Sequence, residues 1–191
     1  LTKGTIIILN GTSSAGKTSL VHELQKIMPE PFLEAGIDIF LCMLPRRYFH
    51  QPLWDEVLGK ANQSGKMGHE LVIGMYQTAL TLSNMGMNIL MDHVLIEPEW
   101  IKKCAETFQD SPAYLIGVRC PIDIVEQREA TRQERTPGQA RKQIEIIHDH
   151  LVYDFEVDTS RHTIESGAKA IKAFLDTGIP PMAIKKLYTT S

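Results

Sequence analysis

An apolar run, Ile6-Ile7-Ile8-Leu9, leads through Asn10 into Gly11-Thr12-Ser13-Ser14-Ala15-Gly16-Lys17-Thr18. This is the full G-x-x-x-x-G-K-[ST] spacing, and it constrains the fold. The loop works only between a buried strand that delivers it and a helix that leaves it. Its N–H groups and the first turn of that helix then form one anion site. Both flanks are present. The strand ends near Leu9, and Leu20, Val21, Leu24, Ile27 and Met28 share a helical face until Pro29 and Pro31 stop it. Lys17 in the first helical turn faces the positive end of the helix dipole, at a cost of about 0.3 kcal/mol or more. A bound polyphosphate reverses that sign. Gly11, Ser13, Ser14, Ala15, Gly16, Lys17, Thr18 and Ser19 are therefore the expected contacts to ATP, with Lys17 on the β- and γ-phosphates and the Thr18 hydroxyl on Mg2+. A Gly/Ser-rich turn without a ligand is the alternative.

Such a loop belongs to an α/β domain, and the rest of the chain alternates accordingly. Five strands are expected, at Thr5–Leu9, Phe32–Ile37, Asn88–Met91 running on to Val94, Ala113–Arg119 and Tyr153–Val157. The first, third and fourth are nearly continuous apolar runs and should be central. Helical faces recur at Leu71, Val72, Met75, Ala79 and Leu82, and at Ile164, Ala168, Ile171, Phe174 and Leu175. Thr136-Pro137-x-Gln139 reads as a capping box opening a helix from about Pro137 to His150. The 191 residues suit a single domain, 1–191, with an aperiodic acceptor-binding excursion at 42–69, a lid at 128–140 and a peripheral tail at 182–191.

Composition excludes several classes. Lys plus Arg total 20 against 23 Asp plus Glu, a formal charge of −3, and no basic stripe is present to track a nucleic-acid backbone. No segment is long enough for a signal-peptide core or a membrane span, so the expectation is a cytoplasmic protein with no membrane partner. Leu1 in place of an initiator methionine is read as the loss of a few residues that do not carry the fold. Cys42, Cys104 and Cys120 form no C-x-x-C pair and are read as reduced. His148 and His150 are two apart, so on a helix they diverge and do not make a metal pair.

The run Ile89-Leu90-Met91 closes on Asp92, the pattern of a carboxylate that joins Thr18 at Mg2+. Capping of a following helix is the alternative. His93 could reach the same cleft or be a packed, hydrogen-bonded residue. Asp38 ends the second strand, where α/β sheets collect ligands, and could take the proton of a substrate hydroxyl. Asp is equally a preferred N-cap, and apolar residues 39–44 follow it. Arg128, Arg132 and Arg135 follow i, i+4, i+7 spacing; such a row of like charges is best explained by an anion beneath a lid, or else by a solvated salt-bridged face.

These residues together resemble the chloramphenicol phosphotransferases, small P-loop kinases related in fold to adenylate and shikimate kinases. The likeness runs to about Asp176 through Ile7–Gly11, Ser13–Lys17, Pro29-Glu30-Pro31, Gly36-Ile37-Asp38, Gly117–Cys120, Arg128-Glu129, Arg132, Arg135, Lys142-Gln143 and Tyr153–Thr159. It implies a three-layer P-loop kinase fold, a five-stranded parallel sheet with helices on both faces, and the Asp92 strand beside the loop strand. It also implies ATP-dependent phosphorylation of a small-molecule hydroxyl. Asp38 is then the general base, and Arg132 and Arg135 lie in the nucleotide-covering region; Lys17, from the loop motif, is the expected catalytic cation, and Arg128, from the arginine row, an expected contact to the nucleotide. His93 stands where the family carries a second acid. The family's Gly-rich acidic excursion is replaced by Arg46–Trp54, a basic, aromatic stretch that suits an anionic or planar acceptor better than chloramphenicol itself. Antibiotic resistance and metabolism both stay open as roles, as does a homo-oligomer. The other function classes weighed are a nucleotide or metabolite kinase of this fold, and an ATP-binding regulatory module that performs no transfer.

Overall fold

The computed structural model describes residues 2–50, 65–130, 139–144, 146–149 and 151–190. Its five strands are β1 (Ile6–Asn10), β2 (Phe32–Glu34), β3 (Asn88–His93), β4 (Ala113–Arg119) and β5 (Phe155–Asp158). They form one parallel sheet in the order β2-β3-β1-β4-β5, so the three apolar runs are central, as expected. The helices are α1 (Lys17–Ile27), α2 (Ile37–Leu41), α3 (Lys66–Asn84), α4 (Pro98–Phe108), α5 (Ile122–Ala130), α6 (Gln139–Ile144), α7 (Ile164–Asp176) and α8 (Ala183–Thr190), with a 3-10 turn at Arg46–Phe49.

Alternation along the strands builds a core on each face of the sheet. Ile7 and Leu9 of β1 and Leu90 of β3 pack with Leu20, Val21 and Leu24 of α1, Val125 of α5 and Ala168 and Ile171 of α7. Ile6, Ile8, Ile89 and Met91 point the other way, against Phe40 of α2, Met75 and Tyr76 of α3, and Trp100 and Phe108 of α4. The three layers follow from this two-sided burial. Thr163 caps α7 by accepting the Ser166 N–H at 3.2 Å.

Four expectations are corrected. The second strand ends at Glu34 rather than Ile37, because the chain must turn at Gly36 beneath Asp92: a Cβ on Gly36 would lie 1.7 Å from Asp92 Oδ1. Asp38 is consequently the second residue of α2, whose N-cap is Gly36, and not a cap itself. The helix expected over 137–150 spans Gln139–Ile144 among the described residues and gives way to a turn at 146–149, with the Ile147 carbonyl taken by Asn10 Nδ2 at 3.1 Å; Thr136 and Pro137 lie outside the described residues. The tail at 182–191 is not peripheral. It contains α8, whose Ala183, Ile184 and Leu187 are buried in the core on the α4 side. Of the 42–69 excursion, residues 51–64 lie outside the described residues and Lys66–His69 already belong to α3.

Candidate active site

The sheet delivers its candidate residues to one end, the C-terminal ends of β1 and β3. One cleft there is lined on one side by Ser13, Ser14, Gly16, Lys17, Thr18 and Ser19, and on the other by Ile37, Asp38, Asp92, His93 and Val94. Gly16 has φ 96, a left-handed conformation that glycine supplies without strain, and turns the loop into α1. Ser14 also lies in the left-handed region, at φ 62, a local strain of the kind stored at ligand loops.

Register places Leu9 beside Asp92 and Asn10 beside His93. The Thr18 hydroxyl donates to Asp92 Oδ2 at 2.6 Å, so the two residues expected to share Mg2+ are already joined. Both are hard oxygen donors, which fits an ion that takes one or two protein ligands and completes its shell with phosphate and water. Lys17 is buried and donates from Nζ to the Gly11 and Thr12 carbonyls at 2.8 and 2.7 Å, folded against the loop it serves. Asp38 is exposed at the mouth of the cleft, in the first turn of α2.

His93 is buried, and burial, with Lys17 nearby, lowers its pKa to about 3, so the ring is neutral at ordinary pH. Its Nε2 lies 2.6 Å from the Tyr76 hydroxyl, and the ring stacks on Trp100. Arg128 reaches the loop from behind. Its Nη1 donates to Thr159 Oγ1 at 3.1 Å and to the Ala15 carbonyl at 3.5 Å, and Nη2 donates to the Thr159 carbonyl at 3.0 Å. The Thr159 hydroxyl bonds the same Ala15 carbonyl at 2.7 Å. Arg132 and Arg135 lie outside the described residues. His148 Nδ1 lies 2.7 Å from the Tyr153 hydroxyl and serves that contact; His150 is outside the described residues.

Gln143, Asn10 and Thr159 shape the site through contacts that no motif in the sequence announces. Gln143 Oε1 accepts the Ser13 N–H at 2.8 Å, tying α6 to the phosphate loop. Asn10, fully buried, donates to Ile147 O and to the Tyr153 hydroxyl, and accepts from the Leu95 N–H at 2.8 Å. The only signal for Asn10 was a polar residue closing a buried strand. Gln143 and Thr159 act across more than 100 residues of chain, which no local pattern encodes.

A family model described as chloramphenicol phosphotransferase-like protein matches residues 4–176. The chain belongs to that family. A Mycobacterium tuberculosis (strain H37Rv) protein provisionally named an O-phosphotransferase is 29% identical over 198 residues, covering 97% of this chain and 88% of the relative. Among solved structures, the M. tuberculosis APS kinase in complex with AMPPNP and APS superimposes with a TM-score of 0.67 at 14% identity, over 92% of this chain and 99% of that one. Shikimate kinase from Acinetobacter baumannii in complex with shikimate gives a TM-score of 0.63 at 14% identity, over 93% and 96%. These neighbours share the P-loop kinase fold, which is the fold of this family member. Among the described residues no helix is long and apolar enough to cross a membrane.

Proposed function

We propose that this family member is an ATP-dependent O-phosphotransferase that moves the γ-phosphoryl group of ATP to a hydroxyl of a small molecule. The observation that carries the reading is the shared cleft. Asp38 lines the same cavity as Lys17, Thr18 and Asp92, so a carboxylate able to take a proton faces the loop that would hold the phosphates. In this reaction the acceptor oxygen forms a bond to the γ-phosphorus while the bond from that phosphorus to the β,γ-bridging oxygen breaks. ADP leaves with the bond's electron pair, and the hydroxyl proton passes to the Asp38 carboxylate.

Each loop residue then has a task. Lys17 leaves the Gly11 and Thr12 carbonyls for the phosphoryl oxygens, and the loop N–H groups neutralise the polyphosphate. Mg2+, held through Thr18 and Asp92, would supply charge neutralisation at the β- and γ-oxygens. Arg132 and Arg135, outside the described residues, are assigned the task of covering the transferring group from the family resemblance alone, while Arg128 and Thr159 brace the loop at the Ala15 carbonyl. Arg46, Arg47, Tyr48 and Phe49, just past α2, favour an anionic or planar acceptor.

The test is acceptor-dependent ADP release with ATP·Mg2+ and a panel of hydroxylated antibiotics, nucleosides, nucleotides and sugars, with Lys17→Ala as control. Release that needs both an acceptor and Lys17 supports the reading. Tight ATP binding with no acceptor-dependent release across the panel overturns it in favour of a regulatory module.

A further inference from the structure

Among the described residues, three buried side-chain polar atoms lack a hydrogen-bond partner: Ser14 Oγ, His93 Nδ1 and Ser111 Oγ. Buried polar atoms are nearly always satisfied, so each exception calls for an explanation. Ser111 precedes β4, at the end of the sheet away from the cleft. The other two belong to residues that line the cleft. Ser14 is part of the phosphate loop. His93 is not, and its surroundings differ.

Asp92 and His93 are adjacent in β3 and therefore point to opposite faces of the sheet. Asp92 turns to α1, where Thr18 meets it. His93 turns to the face built from α2, α3 and α4, where Tyr76 and Trp100 surround it and Ile37 packs on the same core. That is the side from which α2 presents Asp38. The ring is fixed there by the 2.6 Å contact from Nε2 to the Tyr76 hydroxyl and by stacking on Trp100, with centroids 5.7 Å apart at 29°. The Tyr76 hydroxyl is 3.4 Å from the Trp100 carbonyl, so its better acceptor is Nε2. A phenol donating to Nε2 of a neutral imidazole leaves the proton on Nδ1. The unpartnered atom is then an N–H donor.

We propose that His93 binds the phosphoryl acceptor, its Nδ1–H donating a hydrogen bond to an acceptor oxygen other than the one being phosphorylated. This inference rests on the kinase reading above and names a substrate feature within it. The attacking hydroxyl gives its proton to Asp38 and a lone pair to phosphorus; a hydrogen bond donated to that oxygen would draw off the electron density the attack requires. The favoured acceptors therefore carry a second oxygen function near the reacting hydroxyl, as diols, hydroxy acids and hydroxy amides do.

The test compares His93→Asn with His93→Gln. An Asn side chain places its amide where Nδ1 was and gives up Tyr76; a Gln side chain reaches toward Tyr76 and gives up the Nδ1 position. The probes are chloramphenicol, D-gluconate, shikimate and adenosine, and the one that the wild type phosphorylates fastest is carried through. The expected result is a rise in acceptor KM of about tenfold in His93→Gln and less than about threefold in His93→Asn, with kcat and the KM for ATP moving far less. The reverse order, with Gln tolerated and Asn not, or equal behaviour of the two, overturns the inference and leaves His93 as packing for Tyr76.

Tyr76→Phe and the ring tautomer, read by 15N NMR of the wild-type histidines, decide the matter if neither His93 variant folds. A proton on Nδ1 and a raised acceptor KM in Tyr76→Phe are expected; a proton on Nε2 overturns the inference. Failure of the wild type to phosphorylate any probe counts against the kinase reading itself and removes the inference with it. Normal wild-type turnover that ignores His93→Gln removes the inference alone.

Discussion

Thr18 and Asp92 are 74 residues apart in sequence, yet the Thr18 hydroxyl donates to Asp92 Oδ2 at 2.6 Å. One residue opens a helix and the other stands near the end of a neighbouring strand, so the contact joins the phosphate loop to the carboxylate expected to share its metal. Asp92→Asn keeps the shape and removes the charge. Phosphotransfer is expected to fall about 100-fold or more, with a higher Mg2+ requirement, while the urea midpoint changes little. Rates measured across a Mg2+ titration check this; an unchanged rate at low Mg2+ would contradict it.

Gly36 makes room for that carboxylate. A Cβ there would meet Asp92 Oδ1 at 1.7 Å and its Cγ at 2.9 Å, so Gly36→Ala must displace the side chain, the backbone or both. A loss of about 1–3 kcal/mol in urea unfolding is expected. Activity is expected to fall with it, toward the level of Asp92→Asn. Full activity in a folded Gly36→Ala protein would show that the position of Asp92 does not matter.

The last helix is a core element. Ile184 is 2% exposed and packs on the α4 side, whereas Tyr188 is 46% exposed. Ile184→Ala is expected to cost about 2–4 kcal/mol by removing buried methylenes and leaving a cavity. Tyr188→Ala is expected to stay within about 0.5 kcal/mol. Urea unfolding of both variants checks the difference.

That helix also marks what the sequence made legible. The Gly11–Thr18 loop, the three central strands and the neighbourhood of Thr18 and Asp92 follow from local patterns: a complete motif, apolar runs, an acid closing a run. Ala183, Ile184 and Leu187 were hidden behind Pro180 and Pro181, because proline ends a helix but does not forbid a return to the core. Gln143 on Ser13, Thr159 on Ala15 and Asn10 on Ile147 were equally hidden, since hydrogen bonds between distant segments leave no period to read. The strand β2 stops short of the expected Ile37 for a related reason. Ala35 continues the apolar run, but the chain turns there to pass Gly36 under Asp92.

His148 gives a pH signature that does not depend on activity. Burial, followed by Arg119, lowers its pKa from 6.5 to about 4, with Lys17 adding to the effect and Glu156 and Asp149 opposing it. Between these values the unfolded chain holds a proton that the folded chain lacks. The stability from this group is present in full above pH 6.5 and is lost as pH falls toward 4. His148→Asn keeps an amide near the Tyr153 hydroxyl and abolishes the titration. Its urea midpoint is expected to decline less than that of the wild type between pH 7 and pH 5; parallel declines would show that His148 is not held neutral.

The most direct measurement of phosphotransfer through this cleft is the rate of acceptor phosphorylation by Asp38→Asn beside its affinity for AMPPNP. A proton acceptor at Asp38 predicts that transfer from ATP falls by about 100-fold or more while AMPPNP binds within about threefold of wild type. Turnover near the wild-type rate in Asp38→Asn would contradict the assignment of Asp38 as base, and with it the mechanism built on this cleft.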